Sequence, residues 1–474
     1  MYIDINNIIK QYHLEEDIEY RIEFIEASSL LCPERLDIAA KYLYLNLKEK
    51  CPEYAKKIYL EHIRIMTKGS FVEPYSNKKS AGDFLLAFDA LYEQMKLEGY
   101  DDKISPIPVD KNYRIMDGAH RVAICIKLGI KVPIIVLPIE ANYDIYNQDF
   151  FEKYGIDESY LDEIVKTYIR ISKQCVCINI WPSAKGHNEE LDAIINKEFA
   201  TIYKKDFLLN ENGAFYYLAQ IYKEYSWAQN NGDGFSGVYR KLLPCFPTFD
   251  PVRAIFVELN DQTNLLDVKE KMRDLYGLGK HSLHITDNQE ETVQMANIVL
   301  SNNTISFLNK CNPLRFKNTL KLLEKASKIV EKRIVCFSGS IVLSLYGIRS
   351  ANDLDYICEE DNDEDSHNKL IPLYGKTKGQ LLYQPDLHFS FFDLSFITLN
   401  CIKNFKERRG EKKDYDDILL MKLVSQKGNN SRKAQILRLK RRIIASVQGE
   451  IIRIAHKTGT YEQLRSLYKR IKQS

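Results

Sequence analysis

The sequence predicts an α+β chain of several domains, and three observations carry that expectation. Apolar residues recur with a 3.6-residue period through most of the first hundred positions, the spacing of core-facing helices. Beyond residue 104 the period changes, and short β-rich runs alternate with helical stretches. Between residues 333 and 356 a strand, a Gly-Ser turn, an apolar helix and an Asp-x-Asp strand follow one another. A chain of 474 residues has room for roughly three domains, expected at 1–165, 166–315 and 316–474.

Composition narrows the class. An apolar content of 45% with 28% charge is that of a folded globular protein, and 67 basic against 65 acidic residues exert no global pull on nucleic acid or anionic membrane. The start, Met1 to Asn6, lacks the basic and apolar character of a secretory leader, and no segment reaches the roughly 18 apolar residues of a membrane span. A cytoplasmic location without membrane insertion is expected. The ten Cys are scattered, with Cys175 and Cys177 the closest pair and no C-x-x-C, so zinc and a disulfide framework are not expected.

In order, Arg35 to Lys50, Ala55 to Met66 and Ala81 to Leu97 read as helices. Ile104 to Val109 and Tyr113 to Met116 read as strands, Ala119 to Leu128 as a helix closed by Gly129, and Val132 to Leu137 as a strand. A charged helix from Ser159 to Lys173 leads to the strand Val176 to Ile180. Helices at 188–197, 213–225, 265–275 and 290–300 follow, with a Gly/Asn-rich loop at Asn230 to Gly237 and a strand at 252–259. A helix at 316–331 enters the strand Arg333 to Phe337, and the tail from 431 is basic and helical.

Gly339-Ser340 forms a small turn able to accept a phosphate, followed by an apolar-faced helix, Ile341 to Gly347, with Gly347 as its C-cap. On the next strand Asp353 and Asp355 share one face because strand side chains alternate with period two. Two carboxylates beside a phosphate cradle suit Mg²⁺ and a nucleoside triphosphate.

Met116-Asp117-Gly118-Ala119-His120-Arg121 lies where a strand gives way to a helix, a place where backbone amides and a helix dipole hold anions. His120 and Arg121 add donors, Gly118 permits the turn, and Asp117 either caps the helix or orients a cation. A plain N-cap with two surface cations is the alternative. Residues 60–140 resemble the ParB/sulfiredoxin superfamily, in particular its free-serine-kinase branch. The resemblance implies phosphate binding at Asp117, Gly118, His120 and Arg121, and a phosphoryl-transfer role for Glu73 in Phe71-Val72-Glu73-Pro74.

In the middle, His284, Asp287 and Glu290 resemble the active-site segment of nucleoside diphosphate kinases, with Arg273 as a phosphate ligand and Ile180-Trp181-Pro182-Ser183-Ala184 placed like that family's Lys-Pro-Asp-Ala segment. The resemblance implies a ferredoxin-like α+β domain with His284 as a catalytic residue. Trp181 stands where that family has Lys, and Ile285 where it has Gly. The local alternative is that Thr286 or Asp287 caps a helix, with Glu290 completing a capping box.

Residues 333–425 resemble the nucleotidyltransferase superfamily typified by DNA polymerase beta. That resemblance implies triphosphate binding by Gly339 and Ser340, Mg²⁺ at Asp353 and Asp355, and a third carboxylate on a later strand. On the expected strand Leu387 to Phe396, Asp393 is the candidate for metal binding and catalysis, with His388 as substitute base or substrate contact; odd spacing puts the two on opposite faces. Lys406, Arg409 and Lys413 precede Asp414-Tyr415-Asp416-Asp417, a segment similar to minimal nucleotidyltransferases of antibiotic-modifying and abortive-infection groups, and would neutralise phosphate. Tyr346-Gly347-Ile348-Arg349 also resembles proteins of bacterial surface-polysaccharide clusters.

These resemblances imply a Mg²⁺-dependent transferase moving a nucleotidyl or phosphoryl group from ATP or another NTP to a small hydroxylated or sugar-phosphate acceptor, in surface-glycan biosynthesis. Two alternatives stay open. One is a toxin-like nucleotidyltransferase acting on tRNA or protein, with Lys427 to Arg442 as a local phosphate-binding face; the other is a ParB-like nucleotide or nucleic-acid binder without activity.

Overall fold

Apolar periodicity becomes helix at nearly every place the sequence suggested it, while the short strands depart further from expectation. The computed structural model describes residues 8, 12, 20–73, 77–100, 105–140, 145–172, 174–228, 235–260, 262–361, 363, 366–464 and 466. Met1 to Asn6, Pro74, Ile104, Lys173 and the first part of the Asn230 loop lie outside them. The chain divides into two compact units, residues 1–310 with 378–396, and residues 311–377 with 397–474. This division is drawn near 310 and returns residues 378–396 to the first unit, where the sequence suggested three consecutive parts.

In the first unit, β3 (Lys131–Val136) lies between β1 (Ile22–Glu26), antiparallel to it, and β2 (Ile107–Val109), parallel to it. The helix Ala119–Leu128 enters at Gly118 and ends at Gly129, both in the left-handed region. Tyr113 to Met116 is not a strand: Ile115 makes one isolated bridge to Val109, and Tyr113 has φ +61°. The helices Leu36–Leu47 and Pro52–Met66 bury a charged cluster in which Asp37 accepts from both Arg35 and Lys41.

A second sheet in the same unit has the order β5-β6-β4-β7 and is antiparallel throughout, built from β4 (Cys175–Ile180), β5 (Phe199–Phe207), β6 (Val252–Leu259) and β7 (Leu283–Ile285). One face is covered by the helices Asn188–Glu198 and Leu265–Tyr276, whose Leu191, Ile195, Val268 and Met272 pack on Val176, Ile178, Ile255 and Val257. The expected strand Leu387 to Phe396 is instead a hairpin, β10 (His388–Phe391) and β11 (Leu394–Ile397). Phe392 and Asp393 form its two-residue turn, both with positive φ, as primed hairpin turns demand.

In the second unit, β8 (Val335–Ser338) pairs antiparallel with β9 (Asp355–Cys358), with Ser338 opposite Asp355. The helix Ser340–Leu345 lies between them in sequence, and every residue of it is buried. The helices Asn318–Val330, Leu399–Arg409, Lys412–Lys427 and Arg432–Lys457 complete the unit. Glu411 and Asp414 form a reciprocal capping box that starts the third of these. Among the described residues no helix is long and apolar enough to cross a membrane.

Candidate functional site

The second unit holds a cleft of about 300 Å³ at the end of the β8–β9 pair, where the Gly-Ser turn meets both aspartates. Gly339 has φ +69°, and a Cβ there would overlap the Asp355 carboxylate, so only glycine brings the turn this close. Ser340 Oγ donates to Asp353 Oδ1 at 3.0 Å. Only Asp355 belongs to the strand; Asp353 sits in the exposed bend just before it, so the shared position of the two comes from that bend and not from strand alternation.

Across the cleft stand Arg349, Lys406, Arg409, Lys413 and Arg441. Buried carboxylates anchor most of them. Asp414 accepts from Lys406 and, through two bonds of 2.7 and 2.9 Å, from Arg409. Asp417 accepts from Arg349 at 2.8 and 3.2 Å, from Lys406, and from Arg441. Long cationic side chains are thereby fixed before any ligand arrives, which lowers the ordering cost of anion binding.

His367, Arg349, Asp414 and Asp417 had no assigned role in the sequence, and Arg441 entered only as part of the Lys427 to Arg442 phosphate-binding face of the tRNA alternative. His367 Nε2 is 3.1 Å from Asp355 Oδ1, its ring stacks on Phe405, and its Nδ1 is buried without a partner among the described residues. Burial pushes the Asp355 carboxyl up, but the hydrogen bond and charge of His367, with the Ser340 backbone N–H and Lys406, outweigh it and hold the group below its ordinary value.

Asp393 and His388 belong to the first unit. Asp393 occupies the hairpin turn and pairs with Lys223, while His388 is half-buried with Nε2 2.8 Å from the Leu381 carbonyl. The strand-parity expectation for these two fails, since His388 starts a strand and Asp393 lies in the turn that follows it, not on a strand. Among the described residues no group of three or more His, Cys, Asp or Glu side chains is arranged to hold a metal ion. Two carboxylates suit Mg²⁺ nonetheless, because that ion is commonly held by one or two carboxylates with phosphate and water completing its shell.

At the Asp117–Arg121 turn the donors point inward. His120 is half-buried against Phe88 and Tyr59, with Nε2 2.9 Å from the Tyr59 hydroxyl, and Arg121 is spent on Ser105. The alternative of a plain N-cap with two surface cations is therefore not what stands there, and a Cβ at Gly118 would strike Ile107. Glu73 pairs with Lys78 at 2.8 Å.

Arg273 and His284 meet in a second cleft, about 480 Å³, within the first unit. Arg240, Lys241, Lys269 and Lys280 also line it, with Tyr222, Tyr225, Trp227 and Asp287. Arg273 Nε is buried without a partner among the described residues. Burial, with Lys269 close by, lowers His284 to about 3, so its imidazole is neutral. Trp181 is core, packed on Tyr217 and Phe246. Asn288, one residue past the expected caps, accepts from Glu291 N and starts the helix Gln289–Val299.

Comparison of the chain with family models, curated proteins and solved structures finds no match.

Proposed function

We propose that the second unit binds a nucleoside triphosphate, such as ATP, with Mg²⁺ and transfers a nucleotidyl or phosphoryl group to a small hydroxylated acceptor, a sugar or sugar phosphate. One observation carries this reading: a single cleft sets the glycine-dependent turn at Ser340, together with Asp353 and Asp355, opposite five cationic side chains. Asp353 and Asp355 would hold Mg²⁺, which supplies charge neutralisation at the phosphates. Lys406, Arg409 and Arg441, fixed by Asp414 and Asp417, bind and orient the phosphate oxygens. Lys413 reaches in from the rim, where it is more than half exposed. His367 holds the Asp355 carboxylate in one orientation. The second cleft, with Arg273 and His284, is read as a separate phosphate site.

Labelled ATP or CTP, Mg²⁺ and candidate sugars, incubated with wild type and with Asp353→Ala/Asp355→Ala, test the reading. Transfer that disappears in the double variant supports it, and undiminished transfer in the variant rejects it.

A further inference from the structure

The two units carry opposite charge. Of the 67 basic and 65 acidic residues, 30 and 17 fall in the second unit, which leaves 37 and 48 in the first. A near-neutral chain thus combines a basic unit with an acidic one, and the basic excess lies outside the cleft. Within the cleft the five cations face Asp353 and Asp355 or pair with Glu411, Asp414 and Asp417, so charge there is balanced.

The helix Asn318–Val330 turns Thr319, Leu322, Leu323 and Ala326 inward and carries Lys321, Lys325 and Lys328 on its outer side, with Lys317 at its N-cap. Successive residues step about 100° around a helix, so the four lysines lie within an arc of about 80°. All four are exposed, and the exposed positions from 317 to 332 hold only Lys, Asn, Glu and Ser. Like charges three or four positions apart on a helix repel. Glu324 and Glu331 border the row on one edge, yet among the described residues the ion pairs beside this helix use Arg333 and Arg349, and none uses the four lysines.

Asn318 Nδ2 donates to the Ala351 carbonyl at 2.9 Å, so the row starts beside the loop that carries Asp353. Arg315 Nη1 donates to Asn430 Oδ1 at 3.1 Å, which brings the exposed Arg432 and Lys433 to the same end. We infer that this face docks the phosphate backbone of a nucleic acid. A line of cations, one to each helical turn, matches a line of phosphates at regular spacing, and each lysine is a point charge that holds a phosphate oxygen without reading a base. An anionic lipid surface would gain no apolar contact from this helix, since none of its exposed residues is apolar. The inference does not depend on the chemistry proposed for the cleft.

Fluorescence anisotropy with a labelled RNA hairpin and a DNA hairpin of the same sequence, titrated with the full chain in EDTA at several NaCl concentrations, tests it. Wild type is expected to bind both with a Kd of about 1–100 μM near physiological salt, and log affinity should fall with log salt at a slope of about −3 or steeper. Lys321→Gln/Lys325→Gln/Lys328→Gln should weaken binding at least tenfold and make that slope shallower by about 2 or more, with an unchanged far-UV circular dichroism spectrum. Asp353→Ala/Asp355→Ala should bind as wild type does. No binding to either hairpin at about 100 μM protein in low salt, a salt slope that the triple variant leaves unchanged, or a tighter hold on phosphatidylglycerol vesicles than on either hairpin would each overturn it.

Discussion

Lys406 Nζ lies 2.8 Å from Asp417 Oδ2, with neither side chain more than 3% exposed. The same carboxylate receives Arg349 and Arg441, so one buried anion organises three cations of the cleft. Burial alone would raise its pKa; Arg349 and Lys406 outweigh that and lower it to about 2 from 3.8. A depressed carboxyl stabilises the fold above its unfolded pKa and loses that contribution as pH falls through the folded one. Acid unfolding of the second unit should therefore steepen between about pH 4 and 2. Asp417→Asn removes the dependence and leaves Arg349 and Arg441 without their counter-ion and Lys406 with Asp414 alone, a loss of roughly 3 kcal/mol or more. Urea midpoints at pH 7 measure it, and an unchanged midpoint rejects the organising role.

Gly339→Ala should cost both stability and ligand binding. The backbone is left-handed there, about 1 kcal/mol for a residue with a side chain, and the new methyl would occupy the space of the Asp355 carboxylate. Isothermal titration with ATP and Mg²⁺ should show at least tenfold weaker binding than wild type. Binding equal to wild type would mean that the turn is not part of the site.

Local signals were legible in the sequence and tertiary ones were not. Gly339, Ser340, Asp353 and Asp355 fall within seventeen positions, and Lys406, Arg409 and Lys413 within eight, so motif spacing could find each group; the structure sets both groups in one cleft. Asp417 meets Arg349 across 68 positions and Arg441 across 24, distances over which no period carries information. The strand Phe199–Phe207 escaped because a bulge between Thr201 and Tyr203 breaks its alternation. Asp393 was misplaced because a two-residue turn inside an apolar run leaves hydrophobicity unbroken while reversing the chain.

His367→Ala should shift the acid limb of any turnover in the cleft to higher pH. The imidazole lies 3.1 Å from Asp355 and is among the contributions holding that carboxyl down against burial. Without it the carboxyl keeps only the Ser340 backbone N–H and Lys406 to offset burial, so Asp355 protonates earlier as pH falls, and activity that needs the carboxylate is lost sooner. Comparing kcat/KM profiles of the variant and wild type reads this directly; superimposable acid limbs would remove His367 from the site.

The second cleft has a built-in reporter. The chain has two tryptophans: Trp181 is buried, and Trp227 lines this cleft at 42% exposure. Lys269 is paired with Asp287, but Arg240 and Lys280 have no side-chain ion partner among the described residues, and the buried Arg273 Nε donor is unspent. An anion entering here gains charge-assisted hydrogen bonds of about 1.5–3 kcal/mol each. Pyrophosphate or ATP should therefore change Trp227 fluorescence in an Asp353→Ala/Asp355→Ala background, where the other cleft is disabled. Arg273→Gln should weaken the response about tenfold or more, and Trp227→Phe should abolish the signal. Because His284 stays neutral down to about pH 3, its charge adds nothing to binding between pH 5 and 8. A response that grew several-fold across pH 6.5 as the solution was acidified would instead place a protonated imidazole in contact with the ligand and overturn the neutral His284 assigned here.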